Sequence, residues 1–297
     1  MRGSASLAVK ALAFSWIQER GVTITQTHSR GRMKTWQGKW AVVTGASAGI
    51  GRAFCSELAA GGSNLVLVAR RRDRLSELAA LLSSKHSIKT EICPADLAQP
   101  SGSEEIFAFT QGKGIEVDLL INNAGFGAYG EFPDSPLDRQ LGMVQVNVAA
   151  VVHLTHLYLP PMIARRRGWV LIVASTAAFQ AVPYLSVYAA TKAFDLLFAE
   201  GLAEEMAPHG IKVCALCPGT TESEFFDVAG QPKRIMRKRE TAEKVAHTGL
   251  HALASGRSYV ISGMKNYMGA LSQRLISRRM VTRIVGKMFR PMPGETK

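Results

Sequence analysis

The chain has 297 residues, 47 % of them hydrophobic, which is enough for a sizeable core, and a formal net charge of +13. The excess charge sits at the ends: residues 1–39 carry 7 basic and 1 acidic side chains, residues 260–297 carry 8 and 1, and the 21 basic and 21 acidic residues between them cancel. A neutral body with no recognisable nucleic-acid motif argues against a duplex binder, and the basic ends suit an anionic membrane surface at least as well.

In chain order, the first 32 residues carry Arg2, Lys10, Arg20, Arg30 and Arg32 against Glu19, and Leu7 to Ile17 has the pattern of a short amphipathic helix. That resembles a weak organellar presequence; a secretory signal fits poorly because Lys10 interrupts the apolar run. A third reading, which we prefer, starts the natural chain at Met33, with Lys34 to Lys39 as a polar lead into the first strand.

Trp40, Ala41, Val42 and Val43 form a short apolar run typical of a buried parallel strand. It runs into Thr44, Gly45, Ala46, Ser47, Ala48, Gly49, Ile50 and Gly51, a strand-to-helix turn with T-G-x-x-x-G-x-G spacing. Here Gly45 permits the tight turn, Gly49 lets backbone approach a pyrophosphate, and Gly51 allows close helix packing, while the helix N-terminus offers free N–H groups to anionic oxygens. Strand-like runs recur at Asn64–Ala69, Ile88–Ile92, Val117–Ile121, Trp169–Ala174, Ile211–Leu216 and Tyr259–Ile261, with helix-like segments between. This alternation predicts an α/β fold: a single Rossmann-type doubly wound domain, with a seven-stranded parallel sheet and helices on both faces.

After the second strand stand Arg70, Arg71 and Arg72, where a binder of the unphosphorylated dinucleotide places an acid against the ribose 2′-hydroxyl. A guanidinium there grips a 2′-phosphate, so the expected cofactor is NADP(H). Farther on, Tyr188 precedes Lys192 by four residues in a stretch of helix formers, which puts phenol and ammonium on one helical face. A free tyrosine has a pKa of about 10, and a neighbouring cation favours its phenolate. Ser175 lies thirteen residues before Tyr188.

With the glycine loop and the Tyr188–Lys192 pair in place, residues 38 to 262 resemble the short-chain dehydrogenase/reductase family. Asp96 and Leu97 follow the third strand where the family holds the adenine ring, and Asn122, Asn123, Ala124 and Gly125 repeat its N-N-A-G element. Asn147 matches its catalytic asparagine, and Pro218 and Gly219 its P-G motif against the carboxamide. Two departures keep the chemical groups: Y-A-A-T-K has Thr191 for the usual Ser, and the hydroxyl after the P-G glycine is Ser223.

The resemblance implies an oxidoreductase acting on a carbonyl or secondary alcohol. Tyr188 would be the general acid in reduction and base in oxidation. Lys192 would lower its pKa and bond the nicotinamide ribose, Ser175 would donate to the substrate oxygen, and Asn147 would hold a water leading from Lys192 to solvent. The implied cofactor contacts are Gly45, Ser47, Gly49, Ile50, Gly51, Arg70, Arg71, Asp96, Leu97, Asn123, Ala124, Gly125, Tyr188, Lys192, Pro218, Gly219, Thr221 and Ser223. A homodimer or homotetramer joined by the helices carrying Asn147 and Tyr188 is implied as well. The alternative is a dinucleotide-binding scaffold or regulator without turnover; the full set Asn147, Ser175, Tyr188 and Lys192 argues against it, since a binder needs no activated phenol.

The expected organisation is an N-terminal extension over 1–37, the catalytic domain over 38–262, and a basic C-terminal helix and tail over 263–297. Substrate choice falls to Thr220–Glu240, where Phe225, Phe226, Val228 and Met236 line an apolar pocket beside Lys233, Arg234, Arg237, Lys238 and Arg239. Those cations either greet an acidic acyl carrier or form a solvated lid over a lipophilic ketone, aldehyde or oxoacyl substrate, and the lid is preferred. Leu271 to Phe289 repeats apolar residues at helical spacing with arginines elsewhere. Two readings stand: a peripheral membrane helix, or a helix packed on the substrate pocket or a partner subunit, the latter preferred.

Leu141–Ile163 is apolar enough to mimic a membrane span but contains Gln145, Asn147, His153, His156 and two prolines, so a core and interface helix is expected. Cys55, Cys93, Cys214 and Cys217 suggest a reducing, cytoplasmic setting, with membrane association open. Cys214 and Cys217 lack a second ligand pair, and His153/His156 and His247/His251 lack a third ligand, so no metal is expected.

Overall fold

The computed structural model describes residues 33–232, 234 and 239–292. The helix and basic residues expected before Met33, and Lys233, Met236, Arg237 and Lys238 of the expected lid, lie outside the described residues. Seven strands, β1 Trp40–Thr44, β2 Asn64–Ala69, β3 Thr90–Pro94, β4 Val117–Asn122, β5 Gly168–Val173, β6 Ile211–Cys217 and β7 Tyr259–Ile261, form one parallel sheet. Their order is β3-β2-β1-β4-β5-β6-β7, so the winding direction reverses between β1 and β4. In sheets of this kind the ligand crevice opens at that reversal, beyond the carboxyl ends of the strands.

Alternating side chains explain the layering. In β1, Ala41 and Val43 join one core cluster and Val42 the other; in β2, Leu65 and Leu67 oppose Val66 and Val68. The first cluster is covered by helices α1 Gly49–Ala60, α2 Arg72–His86 and α8 Ala242–Ala254, through Phe54, Leu75 and Leu250 among others. The second is covered by α3 Gly102–Gly112, α5 Ala150–Ala164 and α6 Ser186–Met206, through Ile106, Leu154 and Leu196. A strand buried on both faces is mostly apolar, which is why β1 over Trp40–Val43 and β2 over Leu65–Ala69 read as apolar runs; β4 departs from this at Asp118, whose buried carboxylate accepts from Arg167 at 2.8 Å.

The third strand starts two residues later than its apolar run suggests. Ser87 closes α2 in the left-handed conformation (φ 53°), and pairing begins only where Leu65 meets Thr90. Ile88 instead packs on the core from the connecting loop. On an edge strand with Thr90 and Glu91, hydrophobicity does not mark the start. Ahead of β1, Trp36 is buried edge-on against Trp169, with ring centroids 6.0 Å apart.

The expected core helix is α4 Leu137–Val144 and α5 joined through a π-helical turn, Gln145–Ala149. Together Leu137–Ala164 is long and apolar enough to cross a membrane, but half of its apolar window is buried in the protein. The chain then adds a short helix α7 Phe225–Ala229 ahead of α8, and two helices after β7, α9 Met264–Ser272 and α10 Arg278–Phe289.

Candidate active site

A cleft of roughly 870 Å³ opens at the reversal between β1 and β4, bounded by the β1–α1 turn, the ends of β4, β5 and β6, and α10. Thr44 organises its floor. Its Oγ1 donates to Ile121 O at 3.1 Å and accepts from the backbone N–H groups of Asn123 and Ala124 at 2.9 and 3.0 Å, while Asn123 Nδ2 donates to Thr44 O at 2.8 Å. Gly45 turns at φ 67°, and a Cβ on Gly51 would overlap the Gly45 carbonyl. No side chain caps α1 and no acid stands in its first turn, so its leading N–H groups and positive dipole end face the cleft unopposed. These residues fit a dinucleotide: Gly45, Ser47, Gly49, Ile50, Gly51, Asp96, Leu97, Asn123, Ala124, Gly125, Pro218, Gly219, Thr221 and Ser223 all line the cleft.

The arginines diverge. Arg70 is exposed at the rim with no hydrogen bond or ion pair among the described residues. Arg71 donates to Ser47 Oγ at 3.0 Å and pairs with Glu224 at 3.0 Å, and Arg74 pairs with the other Glu224 oxygen at 2.5 Å. Hydrogen bonds from Arg74 and then Arg71 hold the Glu224 carboxyl below its usual range. Glu224 is a site residue that sequence reasoning missed; it carries no local signal, because its partners lie 150 and 153 residues away.

Asn147, Ser175, Tyr188 and Lys192 meet behind the loop 123–126. Asn147 is fully buried in the π-helical turn, where Oδ1 accepts from Phe126 N at 3.1 Å and Nδ2 donates to Phe126 O and Thr191 Oγ1 at 3.0 and 3.1 Å. The substituted Thr191 hydroxyl is therefore in use, donating in turn to Tyr188 O at 2.8 Å. Ser175 Oγ accepts from Ala177 N at 3.1 Å, leaving its proton to donate. Burial holds the Tyr188 phenol above its ordinary range; Lys192 and a hydrogen bond with Ser175 act the other way without winning. The spacing argument alone foresaw only the pull of Lys192.

Asp195, a residue without a mark in the motifs, adds a smaller push in the same direction as burial. Lys192 Nζ, on a side chain 7 % exposed, donates to Val173 O at 2.8 Å and to Asp195 Oδ2 at 2.9 Å, and Asp195 is fully buried. Burial works to lower the Lys192 pKa, but Asp195 and Tyr188 outweigh it and hold the ammonium above its usual range. Burial pushes the Asp195 carboxyl up to about 6 against the pull of Lys192. The available signal was a lone acid in the otherwise apolar run Ala193–Phe198.

A flap closes the other side. Glu222 N donates to Glu240 O and Glu240 N to Thr220 O, each at 2.9 Å, pinching the segment between into a loop that carries α7. Phe225 lies with its ring centroid 5.1 Å from that of Tyr188, and Phe226 packs edge-on against Phe225 at 5.5 Å. Arg234 donates to Met288 O at 3.2 Å and Arg290 O at 2.6 Å, tying the flap to the end of α10, and the Arg239 guanidinium sits 5.5 Å over Phe226. Both described cations of the expected lid thus hold structure. Arg139 from α4, which the sequence does not mark, bonds Val228 O on the flap, and Met288 and Phe289 of α10 line the cleft, as the expected C-terminal helix packed on the substrate pocket would have them do. Cys214 and Cys217 are buried in β6, and burial raises the Cys214 thiol to about 12.

Comparison with known proteins identifies the family. The model of the short chain dehydrogenase family matches residues 39–233. A 7beta-hydroxysteroid dehydrogenase of Collinsella aerofaciens is 32 % identical over 233 residues, covering 77 % of this chain and 88 % of that protein. The very-long-chain 3-oxoacyl-CoA reductase-B of Danio rerio is 38 % identical over 189 residues, 61 % of this chain and 59 % of that protein. Among solved structures, a short-chain dehydrogenase from Sphingobium yanoikuyae in complex with NADPH is 27 % identical, with a TM-score of 0.73 over 80 % of this chain and 94 % of its own.

Proposed function

Since the chain belongs to the short-chain dehydrogenase family of oxidoreductases, we propose that it interconverts a bulky lipophilic carbonyl compound and its secondary alcohol, with NADP(H) as cofactor. The observation that carries the reading is the convergence of Ser175, Tyr188 and Lys192 on one cleft wall, facing an apolar flap. When bound along the glycine turn, the dinucleotide supplies or accepts the hydride. In the reducing direction Tyr188 gives its proton to the substrate oxygen as negative charge develops there. Ser175 donates a hydrogen bond to the same oxygen, Lys192 keeps positive charge beside the phenol, and Asn147 braces the loop 123–126 against α6. The water relay that the resemblance gives Asn147 has the second lone pair of Oδ1 to work with.

Arg70 and Arg71 at the rim support a 2′-phosphate, the group that separates NADP from NAD. For the substrate, Phe225, Phe226, Val182, Leu185, Met288 and Phe289 give the cleft an apolar wall, and the engagement of Arg234 and Arg239 favours a lid over a carrier-docking patch. The Collinsella and Danio relatives are named for a steroid and a very-long-chain oxoacyl substrate, both bulky and lipophilic. Leu137, Leu141, Phe194 and Leu197 stand exposed on α4 and α6, which supports a homodimer or homotetramer joined there; light scattering checks it. A reducing, cytoplasmic setting accords with Cys55, Cys93, Cys214 and Cys217 being buried free thiols.

Steady-state oxidation of NADPH and NADH against a panel of long-chain ketones, 3-oxoacyl thioesters and oxosteroids tests the reading. Turnover of at least one, with NADPH preferred, is expected. Tight dinucleotide binding with no turnover on any would leave the scaffold.

A further inference from the structure

Helix α10 carries three stripes. With 3.6 residues per turn, Val281, Val285 and Phe289 share one face, Met280, Ile284 and Met288 the next, and Arg279, Arg283 and Lys287 the third. The first stripe is packed: Val281 and Val285 sit with Val182, Leu185 and Ala189, beside Tyr188 and Phe289. The second is bare, with Met280 53 %, Ile284 48 % and Met288 60 % exposed. The third is exposed too, and its cations make no ion pair among the described residues. Leu275 and Ile276 extend the exposed apolar surface ahead of α10. From Gly263 to Met292 the sequence has 7 basic residues and no acidic one.

An exposed apolar stripe of this length marks an interaction surface. Two-fold pairing of α10 with a second copy would set its cationic stripe against another of the same sign, which disfavours self-association. A bilayer holding anionic lipid satisfies both stripes at once: methionine and isoleucine enter the acyl boundary while arginine and lysine reach the phosphates. Met288 also joins this surface to the site, because it stands on the bare stripe and lines the catalytic cleft with Phe289 next to it.

We propose that α10 docks the protein on an anionic bilayer through Met280, Ile284 and Met288, with Arg279, Arg283 and Lys287 at the phosphates, and that lipophilic substrate passes from the bilayer into the cleft beside Met288. The entry route rests on the oxidoreductase reading above; the docking does not.

The full chain is sedimented with vesicles of phosphatidylcholine alone or mixed with phosphatidylglycerol, alongside two variants, Arg279→Glu/Arg283→Glu/Lys287→Glu and Met280→Ser/Ile284→Ser. Wild type pellets with the mixed vesicles and little with phosphatidylcholine. The charge variant loses at least about tenfold in binding, and the apolar variant also falls, each with an unchanged melting temperature. Equal pelleting of wild type and charge variant, or equal pelleting on both vesicles, overturns the docking. So does a concentration-dependent gel-filtration shift abolished by the same substitutions, which would assign the stripe to a second copy. For the route, a long-chain ketone carried in the vesicles is reduced much more slowly by the charge variant, whereas a water-soluble aldehyde is reduced equally by both. Equal rates on the vesicle-borne ketone overturn the route. Both compounds are chosen from those turned over in the carbonyl panel above; absence of turnover across the whole panel sinks the oxidoreductase reading and the route with it, and leaves docking to be decided by sedimentation.

Discussion

The two walls of the cleft are built differently. The wall we propose for the dinucleotide rests on backbone at the ends of β1, β2 and β4, fixed by the sheet and by one threonine, Thr44, that hydrogen-bonds three main-chain groups. The wall we propose for the substrate is made of side chains from a pinched flap and a helix after the last strand, joined by Arg234 to carbonyls 54 and 56 residues farther on. Backbone geometry tolerates little change without losing the binding mode, while a wall of side chains on a flap can be remodelled for another substrate. Tyr188 belongs to both: its helix carries Lys192 on the dinucleotide side, and its ring meets Phe225 on the other.

The sharpest way to break this division is at the shared residue. Tyr188→Phe keeps the ring against Phe225 and removes the proton, so turnover should fall by about 10²- to 10⁴-fold while NADPH affinity, read by fluorescence titration, stays close to wild type. Near-normal turnover would remove Tyr188 from the chemistry. A parallel loss of NADPH binding would mean that the two walls are not separable.

The next effect in size belongs to the dinucleotide wall alone. Arg70→Asp should move the ratio of kcat/KM for NADPH over NADH towards NADH by about tenfold or more, with KM for the carbonyl substrate little changed. An unchanged ratio assigns the 2′ position to Arg71, whose guanidinium already faces Ser47.

Legibility in the sequence follows the same line. The β-strand faces, the glycine turn and the spacing Ser175–Tyr188–Lys192 are local patterns, each contained within a strand, a turn or one helix with its approach. Residues that act through distant partners left no such mark: Glu224 reaches back to Arg71 and Arg74, and Arg139 reaches across to the flap carbonyl of Val228. The start of β3 was misplaced for a related reason, since a left-handed Ser87 decides where pairing begins and apolar content does not.

Glu224 joins the walls electrostatically, and its removal sharpens the comparison. If a 2′-phosphate must share Arg71 with this carboxylate, Glu224→Gln removes a competitor, and NADPH should bind up to about fivefold tighter, with NADH unaffected, as suits a half-exposed ion pair. Weaker NADPH binding in that variant would show instead that Glu224 orients the arginines. Isothermal titration with both dinucleotides separates the two outcomes.

The smallest effect lies deepest. Asp195 opposes the help that Lys192 gives Tyr188, since its negative charge raises the phenol's pKa. Asp195→Asn leaves an amide at Lys192 and removes that charge, so the phenolate forms more readily. In the oxidising direction, where the phenolate is the base, activity rises with pH through the Tyr188 pKa, and the variant's rising limb should move to lower pH by about one unit or less. Stability supplies an independent reading. The Asp195 carboxyl, at about 6 in the folded protein, lies above its unfolded value of 3.8. Its contribution is therefore fully present below that lower value and is lost as pH rises through 6. Between those limits the asparagine variant should show a flatter dependence of melting temperature on pH than wild type. A shifted profile with the flatter melting curve identifies Asp195 as a positioning residue for the Tyr188–Lys192 pair; an unshifted profile with the flatter curve reduces it to a buried charge that only the fold has to accommodate.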